Sequence, residues 1–249
     1  MTEKNKENVK CPYCGHEQEF ETVESINLSL NPEFKDKIMN EEIFMFSCDE
    51  CKKKAVIAFP CLINDMEKSF LIWLLADYTP EQKQKLDDEL KNIAKTENEK
   101  NFTDAYVKRI VSSINELKEK IMLIDEGLDD RVVEVLKLLC VNEVSDQLNG
   151  AYVQEVRFNK DEGGQWFLML IFKEGKPNAI PINKEMYDRV EELFKREIRK
   201  KTEKHGYYKI NPYYISSGIF SPQARSITRT GPESTLYPNS NISKSDAST

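Results

Sequence analysis

Two pairs of cysteines are the residues of this chain whose spacing most clearly suggests chemistry. Cys11 and Cys14 lie in "KCPYCGH", and Cys48 and Cys51 lie in "SCDECK", so each pair has the C-x-x-C spacing. That spacing serves either thiol–disulfide exchange at a helix N-terminus or the presentation of two thiolates to one metal ion. Cys61 and Cys140 stand alone among apolar residues, which is typical of small core side chains.

The residues around the first pair argue against the redox interpretation. The tetrapeptide CPYC also occurs in glutaredoxin-like oxidoreductases, where a buried strand precedes it and a helix begins at it. Here "TEKNKENVK" precedes the motif and is too polar for a buried strand. The "HEQEFETVE" that follows Gly15 does not favour an amphipathic helix.

The metal interpretation accounts for both pairs together. Pro12 stiffens the first turn, and Gly15 permits the positive φ that follows a metal-binding knuckle. The second turn has Lys52 at that position, which zinc sites tolerate. Four thiolates complete a tetrahedral Zn²⁺ shell with no open position, so the expected role is structural and not catalytic. We therefore predict one structural Zn²⁺ per chain, bound by Cys11, Cys14, Cys48 and Cys51.

Composition restricts the class of protein. The chain has 249 residues, of which 39% are hydrophobic and 32% charged, and its net charge is −7. Such an acidic chain has no global positive field that would recruit nucleic acid or anionic lipid. The polar N-terminus lacks the apolar segment of a secretory signal, and the longest apolar run, "FLIWLLA", is far shorter than the roughly 20 residues that span a bilayer. We expect a cytoplasmic protein without a membrane partner.

The pattern of apolar residues predicts an α+β fold. Alternation from Phe20 to Leu30 predicts a strand, "NPEFKDKIMNEE" a short helix, and the segments around Cys48 and Cys51 two further strands. Thr79 and Pro80 begin a long charged helix. An apolar stripe then predicts a second helix, and Asp129 or Asp130 caps a third after Gly127. The stripe comprises Val107, Ile110, Ile114, Leu117, Ile121 and Ile124.

After Gly150 the pattern predicts a small sheet with one helix on it. The strands are "AYVQEVRFN", "WFLMLIF" and "AIPI", and an amphipathic helix begins near Lys184. From residue 216 onward the sequence is rich in Ser, Thr, Pro and Asn, which predicts a disordered tail. The expected units are a zinc-ribbon-like β domain at 1–78 with a helical insertion, a helical region at 79–149, a small α+β unit at 150–215 and the tail at 216–249.

Three other groups of residues have both a functional and a structural interpretation. The acidic run Asp125–Asp130 is either a carboxylate cluster or, as we favour, a helix end followed by a helix cap. His16 and His205 are expected at the surface and near the end of the last helix. The basic run from Lys195 to Lys204 precedes four tyrosines and is either a nucleic-acid patch or, as we favour, a solvated helix end with tyrosines packed on the sheet. The tyrosines are Tyr207, Tyr208, Tyr213 and Tyr214.

Several separated motifs, in order, resemble the CpXC-domain proteins of bacteria and archaea. The resemblance rests on "CPYCGHEQEF", "FMFSCDEC", "AFPCLINDMEK" and "RIVSSINELKEKIMLIDEGLDDRVVEVLK", and it covers roughly Val9 to Leu139. It implies that Cys11, Cys14, Cys48 and Cys51 are the family's two C-x-x-C pairs. This chain has "CDEC" where the family often has a second C-P-x-C, and "LINDM" where a histidine often precedes the aspartate. The resemblance implies no particular activity.

Three functions stay open at this point. The leading hypothesis is a structural zinc-binding protein that acts as an interaction or scaffold module with another protein as its partner. The first alternative is a nucleic-acid-associated factor that uses the basic helix end and the tyrosines near 195–214. The second is an enzyme whose site lies after residue 150. No GxGxxG, P-loop, HExxH or nucleophile-elbow motif is present, and no sequence feature sets the oligomeric state.

Overall fold

The computed structural model describes residues 3–147, 153–200 and 206–211. The tail predicted at 216–249 and the residues His205, Tyr213 and Tyr214 lie outside them. Within the described part, the fold is α+β, with six α-helices and three sheets, and the four cysteines cluster near the N-terminus. The predicted fold class is thereby confirmed. No helix in these ranges combines the length and the apolar composition that crossing a bilayer requires.

The first sheet has five strands in the order β1-β2-β5-β6-β7. Strands β2 and β5 are parallel, β6 and β7 are parallel, and the other neighbours are antiparallel. A two-stranded antiparallel sheet joins β3 to β4. The strands are β1 (Glu3–Lys10), β2 (Glu17–Asn27), β3 (Met45–Ser47), β4 (Lys54–Val56), β5 (Cys61–Asp65), β6 (Phe70–Leu74) and β7 (Val107–Val111).

The third sheet lies in the second half of the chain and has the order β10-β9-β8, entirely antiparallel. Its strands are β8 (Val153–Lys160), β9 (Trp166–Phe172) and β10 (Asn178–Pro181). The helices are α1 (Glu33–Met39), α2 (Pro80–Ile93), α3 (Glu97–Asp104), α4 (Ile114–Asp125), α5 (Asp130–Gln147) and α6 (Lys184–Lys200).

Two large apolar clusters hold these layers together. In the first, Ile114, Leu117 and Ile121 of α4 pack on the inward side chains of β5 and β6. In the second, α5 and α6 pack against the three-stranded sheet, and Val132, Val133 and Leu136 of α5 are almost fully buried. The second cluster therefore takes side chains from both sides of residue 150.

Two predicted helices differ in the structure. The single charged helix expected from Thr79 is divided into α2 and α3, because Thr96 and Glu99 form a second capping box that begins a new helix. The apolar stripe from Val107 to Ile124 is not one helix. Its first residues form β7, where β-branched side chains pair with β6, and α4 begins only after Ser113, whose hydroxyl accepts a hydrogen bond from Glu116 N.

The sequence does not predict strand β1. The sequence of β1 is polar, so β1 is not the buried strand that precedes the motif in a redox centre. The structure places β1 at the edge of the first sheet, where it pairs with β2. An edge strand is solvated on several sides and needs no apolar composition. The predicted strands β2, β8, β9 and β10 and the helices α1, α5 and α6 are confirmed.

Candidate metal centre

The first cysteine pair occupies the turn between β1 and β2. Cys11 N donates to the carbonyl oxygen of His16 at 2.8 Å, and Gly15 N donates to that of Cys11 at 3.0 Å. Gly15 has φ = +76°, the left-handed conformation that glycine adopts without a steric penalty. The turn therefore needs a glycine, as the sequence predicts, and it brings Cys11 and Cys14 to the same side.

The second pair occupies the turn between β3 and β4 and has the same backbone geometry. Cys48 N donates to the carbonyl oxygen of Lys53 and Lys52 N donates to that of Cys48, each at 3.0 Å. Lys52 takes the place of the glycine and has φ = +58°. The two short hairpins thus share one backbone geometry, and each presents two thiols. In the second hairpin a residue other than glycine occupies the left-handed position.

Gln18 joins the two turns. Its Nε2 donates to the carbonyl oxygen of Ser47 at 3.0 Å, and its Oε1 accepts from Asp49 N at 2.7 Å. A side chain of β2 therefore fixes the backbone just before and just after Cys48. No sequence signal identified Gln18 as a positioning residue, because its role depends on pairing across 31 residues of chain.

The four Sγ atoms lie at the separations that one metal ion requires. Cys11 Sγ is 3.7 Å from Cys51 Sγ, and Cys14 Sγ is 3.6 Å from Cys48 Sγ. All four atoms lie within 4.8 Å of one another, and no other residue joins this cluster in the described part of the chain. A tetrahedron with metal–sulfur bonds of about 2.3 Å has edges of about 3.8 Å, so the donor set fits Zn²⁺.

The electrostatics of the cluster also favour a cation. Burial opposes ionisation of Cys11, but hydrogen bonds from the amides of Cys14 and Tyr13 outweigh it and lower the pKa of this thiol to about 6. Cys14 accepts from the His16 amide, which favours its thiolate. Burial and the neighbouring thiols prevail, however, and raise its pKa to about 12. Without a cation the cluster therefore does not hold four thiolates at neutral pH.

Aromatic side chains connect the cluster to the first core. Phe46 of β3 is fully buried beneath Cys11 and Cys48, and its ring meets that of Phe20 edge to face at 5.7 Å between centroids. Phe20 in turn contacts Phe59, whose ring lies 5.3 Å from that of Phe44. The metal cluster therefore lies on a small apolar base that continues into the main core.

The remaining cysteines and His16 have the places expected of them. Cys61 and Cys140 are buried, and burial raises the pKa of each thiol to about 12, which keeps both protonated and unreactive. His16 is exposed, and only its backbone takes part in the first turn.

The acidic run Asp125–Asp130 is held by cations of the same chain. Asp125 pairs with Lys35 and Lys68, and Glu126 pairs with Lys160 and accepts from Trp166 Nε1 at 3.0 Å. These partners come from both halves of the chain.

Asp129 caps α5, as predicted, by accepting from Arg131 N at 2.9 Å. Asp129 N itself donates to the Tyr187 hydroxyl at 2.8 Å. The loop therefore connects the segments before and after residue 150. Its carboxylates are already paired within the protein and are not free to bind a hard cation.

Asp130 belongs to a buried ionic network that the sequence does not reveal. Arg109 of β7 donates to both carboxylate oxygens of Asp130 at 2.8 Å, and Lys137 pairs with Glu119 and, at 2.9 Å, with Glu134. Lys120 Nζ lies 3.0 Å from Asp130 Oδ2. Three cations thus face three carboxylates, and all six residues are at most 7% exposed.

The network also fixes protonation states. Burial disfavours the charged form of Lys120, but Asp130, Glu134 and Glu119 outweigh it and raise its pKa. Burial likewise opposes ionisation of Asp130, yet Arg109 and Lys120 hold its pKa well below the usual range. Glu134 is the exception, since burial raises its pKa in spite of Lys137 and Lys120.

The tyrosines after the basic run pack inside the molecule as far as the structure describes them. Tyr207 is buried against Leu90 and Ile110, and Tyr208 pairs with the edge of β7 through Ile110 N, which donates to its carbonyl oxygen at 3.0 Å. The backbone of Tyr208 thus joins the first sheet, while its side chain packs against the second apolar cluster, to which the three-stranded sheet contributes. Lys195 and Arg196 of the basic run are exposed.

Comparison with known proteins supplies the family. Residues 9–137 match the family model described as CpXC protein, which is slightly more than half of the chain. The chain therefore belongs to the CpXC family, as the resemblance of its motifs implies. Searches of curated proteins and of solved structures each found no match.

Proposed function

We propose that this protein is a structural zinc-binding module. Cys11, Cys14, Cys48 and Cys51 bind one Zn²⁺ per chain, and the bound ion holds the two hairpin turns together as a zinc ribbon. The observation that carries the proposal is the convergence of four Sγ atoms with edges of 3.6 and 3.7 Å. A Cys₄ shell leaves no coordination position for substrate, so the metal supplies folding free energy and not Lewis-acid catalysis.

We further propose that the module docks another protein. Three apolar side chains are exposed at the two hairpins, namely Tyr13 at 57%, Val56 at 44% and Met45 at 38%. Met45 and Val56 are partners in the register of β3 and β4, so they form one apolar patch. A fixed apolar patch on a rigid hairpin is typical of a protein-interaction site, whereas the net charge of −7 disfavours nucleic acid. A cytoplasmic location stays a prediction.

Metal analysis of the purified, reduced full-length protein tests the zinc site. We expect close to one zinc per chain, and loss of zinc with unfolding of the hairpins when Cys11 and Cys14 are replaced by serine. Cys61→Ala, a substitution of a buried cysteine outside the cluster, should keep the zinc. A wild-type protein without metal, or a Cys11→Ser/Cys14→Ser variant that keeps its fold and loses a thiol-transfer activity, would refute the proposal.

The docking proposal has its own test. A Met45→Ser/Val56→Thr variant should retain zinc and lose the stoichiometric protein partner that co-purifies with the wild type, because only the apolar patch changes. A Leu193→Ser variant, which alters an exposed apolar side chain of α6, serves as the control. Salt-dependent RNA or DNA binding by the wild type, unaffected by the patch variant, would favour the nucleic-acid alternative instead.

A further inference from the structure

The outer edge of β4 pairs with no other strand in the described part of the chain. The sheet formed by β3 and β4 has two strands, so each strand has one edge that faces away from its partner. On the β3 side, the carbonyl oxygen of Ser47 accepts from Gln18 Nε2, which covers that edge. On the β4 side, no backbone group of Lys54 or Val56 bonds to a described residue beyond the hairpin. The open edge of this sheet is therefore that of β4.

The register of the hairpin shows which backbone groups point to this edge. Cys48 N donates to the carbonyl oxygen of Lys53 at 3.0 Å, so the backbone groups of Lys53 point toward the β3 side. In an antiparallel pair this direction alternates from one residue to the next. The N–H and C=O groups of Lys54 and Val56 consequently point away from β3. The edge thus offers two donors and two acceptors to a further strand.

The side chains of the same two residues lie on the solvent face of the hairpin. Val56 is opposite Met45 in the register, and Met45, Val56 and Lys54 are all exposed. Ala55, between Lys54 and Val56, packs on the cysteine cluster. Because successive side chains of a strand point to opposite faces, Lys54 points away from the thiolates. A strand added at this edge would therefore meet an apolar contact and, two residues away, a positive charge.

The positive charge near this edge has no internal counter-charge. Lys52, Lys53 and Lys54 are consecutive and exposed, and none of them forms an ion pair with a described residue. The acidic residues of the same turn, Asp49 and Glu50, lie on the limb that leaves β3. Opposite charges across neighbouring strands are stabilising and like charges are destabilising, so an edge lysine disfavours a basic strand and favours an acidic one.

We propose that β4 binds an extended acidic segment of another protein, which joins the hairpin as a third, antiparallel strand. An apolar residue of that segment lies opposite Val56 and packs on Met45, and an aspartate or glutamate two residues later lies opposite Lys54. The backbone of the segment pairs with the open N–H and C=O groups, which is the strand-addition mode of peptide recognition. The inference rests on the proposed docking patch and defines the kind of segment that the patch binds.

Titration of the full-length protein with three matched peptides, followed by amide NMR shifts, tests the inference. The probe, acetyl-GTVTETG-amide, has a valine two positions before a glutamate. In the first control peptide a lysine replaces the glutamate, and in the second the amide nitrogens of the valine and the glutamate are methylated. We expect saturable shifts at Lys54, Ala55 and Val56 with the probe. Binding should be at least threefold weaker for the lysine peptide and at least tenfold weaker for the methylated one.

Three results of this titration would overturn the inference. Absence of shifts at β4 with the probe at millimolar concentration would show that the edge accepts no strand. Equal binding of the methylated peptide would show side-chain contact without strand pairing, and equal binding of the lysine peptide would show that charge does not select the segment.

The docking proposal can fail or stand separately. If the Met45→Ser/Val56→Thr variant loses its protein partner while the methylated peptide binds as well as the probe, the patch docks a protein and strand addition is wrong. If the probe binds at β4 as expected but the partner survives in the patch variant, only the docking proposal is wrong.

A charge reversal locates the bound segment. Lys54→Glu should weaken binding of the probe at least threefold and strengthen binding of the lysine peptide, because the cross-strand pair is reversed. Lys85→Glu, which changes an exposed lysine of α2, is the control and should alter neither affinity. Undiminished binding of the probe to the Lys54→Glu variant would overturn the inference. A dimer of the free protein with protected β4 amides would identify a second copy as the occupant, and tighter binding of an oligothymidylate at the same amides would identify nucleic acid. Either outcome would also overturn it.

Discussion

Lys52 adopts a backbone conformation that costs free energy for any residue with a Cβ atom. The left-handed region disfavours an L-residue by roughly 1–2 kcal/mol, and glycine avoids this cost but has a more mobile unfolded chain. The first knuckle has Gly15 at the equivalent position. The backbone conformation of Lys52 therefore has a local free-energy cost, which the other interactions of the hairpin and of the cysteine cluster offset.

We expect Lys52→Gly to raise the free energy of unfolding of the metal-loaded protein by about 0.5–1 kcal/mol, because it removes that penalty. Lys54→Gly is the matched control. Lys54 is exposed and lies in β4, where the strand backbone suits residues other than glycine, so the same change should destabilise by a similar amount. Chemical denaturation of both variants measures whether each substitution raises or lowers the free energy of unfolding. Destabilisation by Lys52→Gly would indicate that its charge near the thiolates outweighs its backbone strain.

Asp129 and Asp130 are adjacent in sequence, yet their side chains have different tasks. Asp130 is 7% exposed and pairs with Arg109, whereas Asp129 is partly exposed and caps α5. We expect Asp130→Ala to destabilise the protein by about 3–5 kcal/mol, because it leaves Arg109 and Lys120 buried without their carboxylate. Asp129→Ala, the control, should cost about 1 kcal/mol. Thermal or urea unfolding at pH 7 compares them, and similar costs would contradict the assignment.

The pH dependence of that comparison follows from the pKa of Asp130. The pKa is depressed in the folded protein, so the ionic contribution is complete above the unfolded-state value of about 3.9 and is lost as the pH falls below it. The difference in unfolding free energy between wild type and Asp130→Ala should therefore be constant from pH 7 to about pH 5 and smaller at pH 3.

At the scale of elements, the segment 206–211 acts as an additional strand-like support for β7. Tyr207 N donates to Asp87 Oδ1 of α2 at 2.8 Å, and the next residue pairs with β7. Gly206 has no room for a side chain, since a Cβ atom there would lie 2.8 Å from Asp87 Oδ1 and 3.1 Å from Asp87 Cγ. The C-terminal segment is thus fitted closely to a helix far away in sequence.

We expect Gly206→Ala to detach this segment and to expose the Ile110 amide, which donates to the Tyr208 carbonyl oxygen. Hydrogen exchange should show loss of protection at Ile110, while the Leu75 amide, which donates to Val111, stays protected. Gly163→Ala provides the control, because its Cβ would meet only the Asp161 side chain in a surface turn. Unchanged protection at Ile110 would mean that Asp87 moves aside without releasing the segment.

At the scale of the whole molecule, α5 belongs to the family-matched region by sequence and to the second core by packing. Its buried face meets α6 and β8, and Tyr187 and Phe158 of the second half bond to Asp129 and Glu119 of the first. The boundary predicted at residue 149 stays a prediction, but a cut there would expose the apolar face of α5 to water.

We therefore expect the fragment 1–149 to aggregate or to lose the helicity of α5, although it contains the entire family match. The fragment 1–211, which keeps every described contact, is the control and should have the same oligomeric state as the full chain. Circular dichroism and size-exclusion chromatography compare the fragments. A soluble, fully helical 1–149 fragment would establish that the first half folds alone.

Local patterns explain which elements the sequence predicts correctly. Period-two alternation marks β2, the short apolar run WFLMLIF marks β9, Thr79 with Pro80 marks α2, and the spacing of the cysteines marks both knuckles, because each signal needs only neighbouring residues. The stripe from Val107 to Ile124 misled because apolar spacing of three and four residues also fits a strand followed by a capped helix. The capping signal was present in Ser113 and Glu116 and decides the boundary in the structure.

The sequence by itself determines the α+β class, the four cysteines and the family, since each rests on residue type and short spacing. Tertiary structure alone decides that four sulfurs from two hairpins converge, that Gln18 clamps the second turn, and that Asp130 meets Arg109 instead of solvent. The physical reason is that charge pairing and burial depend on contacts between distant segments, which the packing of two cores brings together and local periodicity does not encode.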